Sequence, residues 1–530
     1  MTISLPLSKY TMSVFQFLLV ALWLWSGLSF KFTSDLYKNN SFVKASKKLF
    51  LYFFTLPIKN FIAKFQVFFQ NKAAMILVSL FILHLVGLIY TTDFTYAFKD
   101  LRTKLPLLVF PIILSTMEPI NKKQFNILIF FYIGAVLIGS IISTYVLLQH
   151  EFTDIRKISI FISPIRFSLN ICIAIFSLVW FTYKKGNFNI FLKLLFVVAI
   201  VWLVSFLFII ESGIGILIVI VISICLILFL IFSIKNKIIK FTLAIVLFII
   251  PFLLFVFIKN TINDYYDVKP VNFSELDKTT ALGNHYVHDT INYGIEEGKY
   301  VGLYLSRIEL GKSWNKRSIF DFNGKDENGQ NIKHTIIRYL SSKGYRKDAE
   351  ALNKLCDKEI KAIEQGIANV NYLYNPSLKT RISKIIIGYN NFKYENNPNG
   401  NSILQRIEYF KTSIQLIRDN FWIGVGTGDL PMAFQKQYQK MDSPLEDHLR
   451  WRSHNQFLSI FIGFGVIGFI LFLFTLISPP IITGKFKDYF YVIFFITMIL
   501  SMLTEDTIES QAGVTLFAFF TSLLIFSKKD

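Results

Sequence analysis

The stretch FNILIFFYIGAVLIGSIISTYVLLQ, residues 125–149, runs for 25 residues without one charged side chain. Coiled as an α-helix, it is long enough to cross about 30 Å of hydrocarbon. FTLAIVLFIIPFLLFVFI (241–258) repeats the pattern, and so does the apolar half of HLRWRSHNQFLSIFIGFGVIGFI (448–470). Segments that are apolar on every face need lipid rather than water around them. Composition agrees: hydrophobic residues make up 53% of the 530-residue chain and aromatics 17%, with 57 phenylalanines. Because a helix satisfies its own backbone in lipid, these runs imply an all-α polytopic membrane protein.

Further runs of this kind lie near 12–29, 73–90, 103–117, 158–182, 190–210, 212–233, 456–477, 487–504 and 511–527. Residues 49–69, LFLYFFTLPIKNFIAKFQVFF, are interrupted by Lys59 and Lys64 and read as either an interfacial amphipathic helix or one more span. The expectation is a bundle of 11–12 transmembrane helices. The connections NKKQ (121–124), YKKGN (183–187), KNK (235–237) and GKFKD (484–488), with the tail SKKD (527–530), are basic and share one side if the spans alternate. The positive-inside rule makes that side cytoplasmic. TTDFTYAFKD (91–100), HEFTDIRK (150–157), TEDTIES (504–510) and one long polar region then face the external side. Three parts follow: N-terminal membrane helices over 1–258, a large and mostly helical external loop domain over 259–455, and C-terminal membrane helices over 456–530.

The net charge of +20 does not point to nucleic acid. Residues 259–454 hold 28 Lys+Arg against 23 Asp+Glu, so most of the excess sits in the short connections. Three cysteines without zinc-like spacing imply neither a metal site nor a disulfide framework. WLWSGLSFKF (23–32) lacks the small-residue cleavage site of a signal peptide. Within the loop, RKDAEALNKLCDKEIKAIEQGIA (346–368) reads as one or two amphipathic helices, with Asp357 a candidate N-cap. SILQRIEYFKTSIQLIRDN (402–420) reads as a helix with Ile403, Ile407, Phe410, Ile414 and Ile417 forming a buried stripe. NNFKYENNPNGNS (390–402) reads as a mobile connection.

The spans carry few ionisable groups, which argues against a proton- or ion-coupled transporter. Lys104, Arg166 and Glu211 are peripheral and belong near the external face, so chemistry is expected at that surface. His454 begins the helix that re-enters the membrane, and an imidazole there can act as a base at neutral pH; the plainer reading is a histidine that caps the helix start. Arg406, at the edge of the helix stripe, can fork onto phosphate oxygens, or form a surface ion pair with Glu408 or a neighbouring acid. Arg166, in FISPIRFSLNI, can do the same or snorkel to the interface. GVGTGD (424–429) lacks the features of a nucleotide-binding loop, and Gly424 and Gly426 fit a tight turn. GFGVIG (463–468) suits close helix packing. External arginines with one histidine at headgroup depth suit a lipid-linked phosphate or diphosphate.

The chain also resembles the O-antigen ligase and polysaccharide polymerase superfamily. GLIYTTDFTYAFKDLRTKLPLLVFPIIL (87–114) and IRFSLNICIAI (165–175) are similar to that family's spans. WNKRSIFDFNGKDENGQ (314–330), IRYLSSKGYRKDAEAL (337–352) and QRIEYFKTSIQLIRDNFWIGVGTGD (405–429) resemble its loop, and RSHNQFLSIFIGFGVIG (452–468) its loop exit. The resemblance implies a metal-independent, inverting glycosyltransferase without a cofactor, set in an inner membrane with its loop domain periplasmic. Its donor would be an undecaprenyl-diphosphate-linked glycan and its acceptor a sugar hydroxyl of lipid A-core or another surface glycan. His454 falls at the position of the family's base. Arg406 matches its loop arginine, Arg166 fits the membrane arginine, and Lys104 is a further diphosphate contact. Arg452, Asn455, Gly424 and Gly426 would support the site. Two departures stand out: Gly213 in ESGIGI occupies the place of an arginine, and Phe410 that of a tryptophan. A repeat-unit polymerase shares this chemistry, attachment to protein hydroxyls is a variant, and a lipid-linked glycan transporter and an envelope scaffold are the alternatives from other classes.

Overall fold

The computed structural model describes residues 1–26, 42–149, 158–184, 188–233, 235–327, 329–374, 377–395, 397–399 and 401–527. The connection HEFTDIRK, most of YKKGN and the basic tail therefore lie outside the described residues. The chain is an all-α polytopic membrane protein. Its described β-structure is two short antiparallel pairs, Val287–Asp289 with Gly302–Leu305 and Ile295–Glu296 with Lys299–Tyr300.

Among the described residues, six helices are long and apolar enough to cross a bilayer: Lys122–Gln149, Pro164–Tyr183, Ile190–Ile209, Gly213–Ser233, Lys237–Tyr266 and Gln456–Ile482. A seventh candidate is bent by 100° between Lys48–Gln70 and Lys72–Val86. Lys9–Leu24, Tyr489–Thr504 and Gln511–Phe526 are apolar but shorter. Fewer helices thus reach full span length than the 11 or 12 expected. One reason is local: the run 103–117 is split into Phe94–Lys104 and Pro106–Thr116, where Pro106 brings no N–H to continue the first helix.

The segment 49–69 lies within one helix, Phe42–Gln70, and two of its polar side chains, Asn60 and Lys64, have partners. Lys64 donates to the Trp23 carbonyl and to Ser26 Oγ (2.6 Å), and Asn60 Nδ2 to the Leu24 carbonyl (2.6 Å). These groups cover carbonyls that the end of the Lys9–Leu24 helix leaves unpaired.

By compactness the chain forms two units, one of residues 1–228, 406–443 and 447–530, the other of 229–405 and 444–446. Relative to the boundaries expected at 258 and 455, much of the loop's C-terminal third groups with the membrane helices. The second unit has its own core of Trp314, Ile336, Ile337, Leu340, Leu352 and Ile363. The amphipathic pattern of 346–368 resolves into Ala349–Asn353 and Asp357–Glu364. Cys356, not Asp357, is the N-cap of the latter: Glu359 reaches back to the Cys356 backbone N–H (3.0 Å). The expected mobile connection begins as helix, since Leu378–Glu395 continues through 390–395.

The Ser402–Asp419 helix corrects the reading of its stripe. Ile403, Ile407 and Phe410 are exposed, whereas Leu404, Glu408, Tyr409, Thr412 and Leu416 are buried. A helix that a membrane protein holds at lipid depth can turn its apolar side outward, because water is not its only neighbour.

In the first unit the glycine-rich turn meets a break in the re-entering helix. Gly465 adopts φ 63° and ψ −168° inside Gln456–Ile482. The opened backbone accepts from the turn, Val425 N–H to Ile462 O and Gly426 N–H to Gly463 O, both at 2.9 Å. Val466 N–H returns a bond to Phe421 O (2.8 Å). A Cβ on Gly465 would stand 2.2 Å from the Trp422 carbonyl group, and one on Gly424 2.4 Å from the Gly463 backbone. GFGVIG therefore packs partly against a loop, not only against a helix. Asp429 completes the clamp by accepting from the backbones of Thr92 and Asp93, both at 2.8 Å.

Gly465→Ala is expected to destabilise the protein by about 2 kcal/mol or more, since both conformation and space oppose it. Gly463→Ala, at a helical position with nothing within 4 Å of the added carbon, is expected to change little. Thermal midpoints in detergent would separate the two; equal losses would contradict the backbone contact.

Candidate active site

Polar segments that the charge pattern assigns to one face come together in the first unit: 91–104, the start of 406–419, 447–456 and 504–510. Their contacts gather them in one polar cluster. The segment leading to His454 is pinned from behind, with Tyr409 Oη donating to Leu449 O (2.9 Å) and Tyr438 Oη to Trp451 O (2.7 Å). Asn455 is the N-cap of Gln456–Ile482, its Oδ1 accepting from Leu458 N–H (3.1 Å), while its Nδ2 donates to Leu503 O (2.9 Å). His454 is therefore not the cap. Its backbone is left-handed, φ 48°, a conformation that a non-glycine residue keeps only when its surroundings enforce it.

That turn brings the imidazole to Glu505, Nδ1 to Oε2 at 3.3 Å, with Tyr409 packed on the ring at a centroid distance of 5.4 Å. Arg406 reaches the same carboxylate: Nη2 donates to Oε1 at 2.8 Å and Nη1 to the Thr504 carbonyl at 2.7 Å. Arg406 thus pairs across the site with Glu505 and not with Glu408, whose partner is Lys411 (2.6 Å). Burial alone would raise the Glu505 carboxyl; the hydrogen bond and charge of His454, with the charges of Arg406 and Arg166, more than reverse it and hold it below its ordinary value.

Arg166 anchors the adjoining turn, with Nε donating to Ser510 Oγ and Nη2 to Asp506 O, both at 3.0 Å. Its Nη1 is buried without a hydrogen-bond partner among the described residues. Asp506 in turn accepts from Ser459 Oγ (2.6 Å). Gly213 starts the Gly213–Ser233 helix with open space at its Cβ position.

Lys104 sits apart from solvent between two carboxylates, Asp100 at 2.5 Å and Glu509 at 2.9 Å. Arg452 approaches Glu509 at 3.4 Å, and Gln456 Nε2 donates to it at 3.0 Å. Burial raises both carboxyls. For Glu509 the charges of Lys104 and Arg452 reverse this and hold it well below its ordinary value. Asp100, which faces Lys104 but also the Glu509 charge, is pushed up to about 6. Lys104 and Arg452 therefore spend their charge on neighbours and brace the site, while Arg406 is 42% exposed along its side chain. Gly424 and Gly426 act through the clamp described above.

The sequence reading missed Glu505, Asp506, Glu509 and Gln456. Their signal was available as three acids within six residues of TEDTIES, a costly concentration between two membrane helices. It also passed over His84, an ionisable side chain inside a span. The structure buries it, with Nδ1 bonded to Leu80 O (2.8 Å) and the ring against Phe464, facing a small pocket lined by Lys104, Arg452 and Glu509.

What the cluster can do is acid–base chemistry beside an anion: an imidazole oriented by a carboxylate, next to a guanidinium open to solvent. Because Glu505 is held below its ordinary value, its pairing contributes stability that is complete above its unfolded value near 4.5 and is lost as the pH falls through the lowered one. Glu505→Gln is expected to lower the thermal midpoint by a few degrees at pH 7 and to flatten its fall between about pH 5 and 3. Parallel acid limbs for variant and wild type would contradict the pairing.

No curated protein matches the chain. A family model described as O-antigen ligase matches residues 367–473, a segment that holds Arg406, the glycine turn, Arg452, His454 and Asn455. This match supports placing the chain in the O-antigen ligase superfamily.

Proposed function

We propose that the protein is a glycosyltransferase that moves a glycan from an undecaprenyl-diphosphate donor to a sugar hydroxyl of lipid A-core or another surface acceptor. The transfer takes place at the periplasmic face of the inner membrane and needs no metal. The observation that carries this reading is the pair of contacts on Glu505: an oriented histidine and an anion-seeking arginine meet at one carboxylate.

Glu505 accepts from His454 Nδ1–H, so the lone pair is on Nε2 and faces away from the carboxylate. Nε2 takes the proton of the acceptor hydroxyl, whose oxygen attacks the anomeric carbon. The bond from that carbon to the diphosphate oxygen breaks, its electron pair leaving with the lipid diphosphate. A single displacement of this kind inverts the anomeric configuration. Arg406 neutralises the charge that grows on the leaving diphosphate. Arg166 adds a second cation through Nη1, the nitrogen its anchoring bonds leave over. Lys104 contributes field from behind Glu509. Arg452 and Asn455 fix the loop that presents His454.

The test is surface-glycan attachment in a deletion strain complemented with wild type or His454→Ala at matched membrane levels. Loss of the base is expected to reduce attachment at least 100-fold, removing the capped ladder while lipid-linked polymer accumulates. Accumulation of single-unit donor would instead assign repeat-unit polymerisation. A wild-type ladder would overturn the base and the mechanism with it.

A further inference from the structure

Arg406 and His454 hold opposite oxygens of the same carboxylate, at 2.8 and 3.3 Å. Two partners thus draw on one negative charge, and the arginine has the shorter contact. The arginine is also the more open, its side chain 42% exposed against 32% for His454 and 10% for Glu505. The backbone that carries the carboxylate is anchored: the Glu505 N–H bonds Ser501 O at 2.8 Å as the Tyr489–Thr504 helix ends. An anion arriving from outside meets the guanidinium before it meets the imidazole.

We propose that Glu505 is a positioning residue whose charge passes from Arg406 to His454 when the donor diphosphate binds, so that the histidine gains its full basicity only in the loaded enzyme. This rests on the reading of His454 as base and Arg406 as diphosphate ligand.

The physical steps are few. A guanidinium makes its strongest bonds to phosphate oxygens, which compete directly with a single carboxylate oxygen. Once Nη2 turns to the diphosphate, the Nη1 bond to Thr504 O still tethers the side chain. Glu505 then has the imidazole as its charged partner, and an opposite charge at about 3 Å favours the imidazolium. The other groups facing this corner are the Tyr409 ring, Asp506 behind Ser453 and Ser459, and Arg166, which reaches the adjoining turn from the Pro164–Tyr183 helix. All three are anchored by bonds that do not involve Arg406 or the donor. In the idle enzyme the arginine mutes the carboxylate, and the charge that reaches the imidazole is shared.

The exchange is read on the purified full-length chain by titrating the His454 ring with carbon-13 histidine NMR, the signal assigned by its loss in His454→Asn. Inorganic pyrophosphate serves as the anion. The ring midpoint is expected to rise by about half a unit or more on pyrophosphate saturation. Arg406→Gln is expected to begin at that raised midpoint and to ignore pyrophosphate. Made together with Glu505→Gln, the same change is expected to leave the midpoint near that of Glu505→Gln alone, since the effect runs through the carboxylate. Equal midpoints in wild type and Arg406→Gln would overturn the proposal, as would an equal rise in the Glu505→Gln background or a wild-type ring that pyrophosphate does not move. None of these readings depends on turnover. A failure of base catalysis, scored by transfer in His454→Ala, is therefore distinguishable from a failure of the exchange.

Discussion

The carboxylate of Glu505 joins a loop helix, a helix entrance and the exit of the penultimate membrane helix. A charge this buried is tolerated only with hydrogen-bonding partners of opposite sign. Arg406 and His454 supply them from positions 48 residues apart in sequence, and neither lies on the element that carries Glu505. Satisfying one acid therefore forces three chain segments into register. A second knot, Lys104 with Asp100 and Glu509, does the same for the 94–104 helix three to four residues further on. Since Arg452 and Gln456 both reach Glu509, the loop holding His454 is fastened on each side of the histidine.

Membrane helices alone would not put these groups together. The apolar spans fix where the chain crosses, but lipid gives little preference for one rotation of a helix over another. Here the rotation is set by backbone contact. The break at Gly465 exposes carbonyls that the glycine turn occupies, and only residues without side chains permit that approach. Close packing thus places the polar residues, and the ion pairs then hold them.

Much of this was legible in the sequence, and the part that was not has physical causes. Charge-free runs such as 125–149 announce their environment directly, because hydrocarbon tolerates so few alternatives. His454 stood out as a titratable group at the lip of a span, and Arg406 as a cation at the edge of a helix stripe. TEDTIES carried an equally strong signal, but acids can be read as solvent-facing loop charge until a partner from a distant segment is seen. The stripe of Ser402–Asp419 was assigned inward because periodicity reports that a helix has two faces, not which medium each one meets. Asp357 lost the cap to Cys356 because a capping carboxylate three residues on can act on any preceding backbone N–H. The short helices near 487–504 and 511–527 looked like full spans because hydropathy does not register where a helix stops.

The most direct test of the central claim, that a carboxylate-oriented histidine drives displacement at an anomeric carbon, is the product itself. Purified protein in lipid would be given a lipid-diphosphate-linked glycan of known anomeric configuration and a sugar acceptor, and the new linkage would be read by proton NMR. The account requires the opposite anomer, one lipid diphosphate released per linkage, and a rate at least about 100-fold lower in His454→Gln. Retention of configuration, or His454→Gln turnover within a few-fold of wild type, would contradict it.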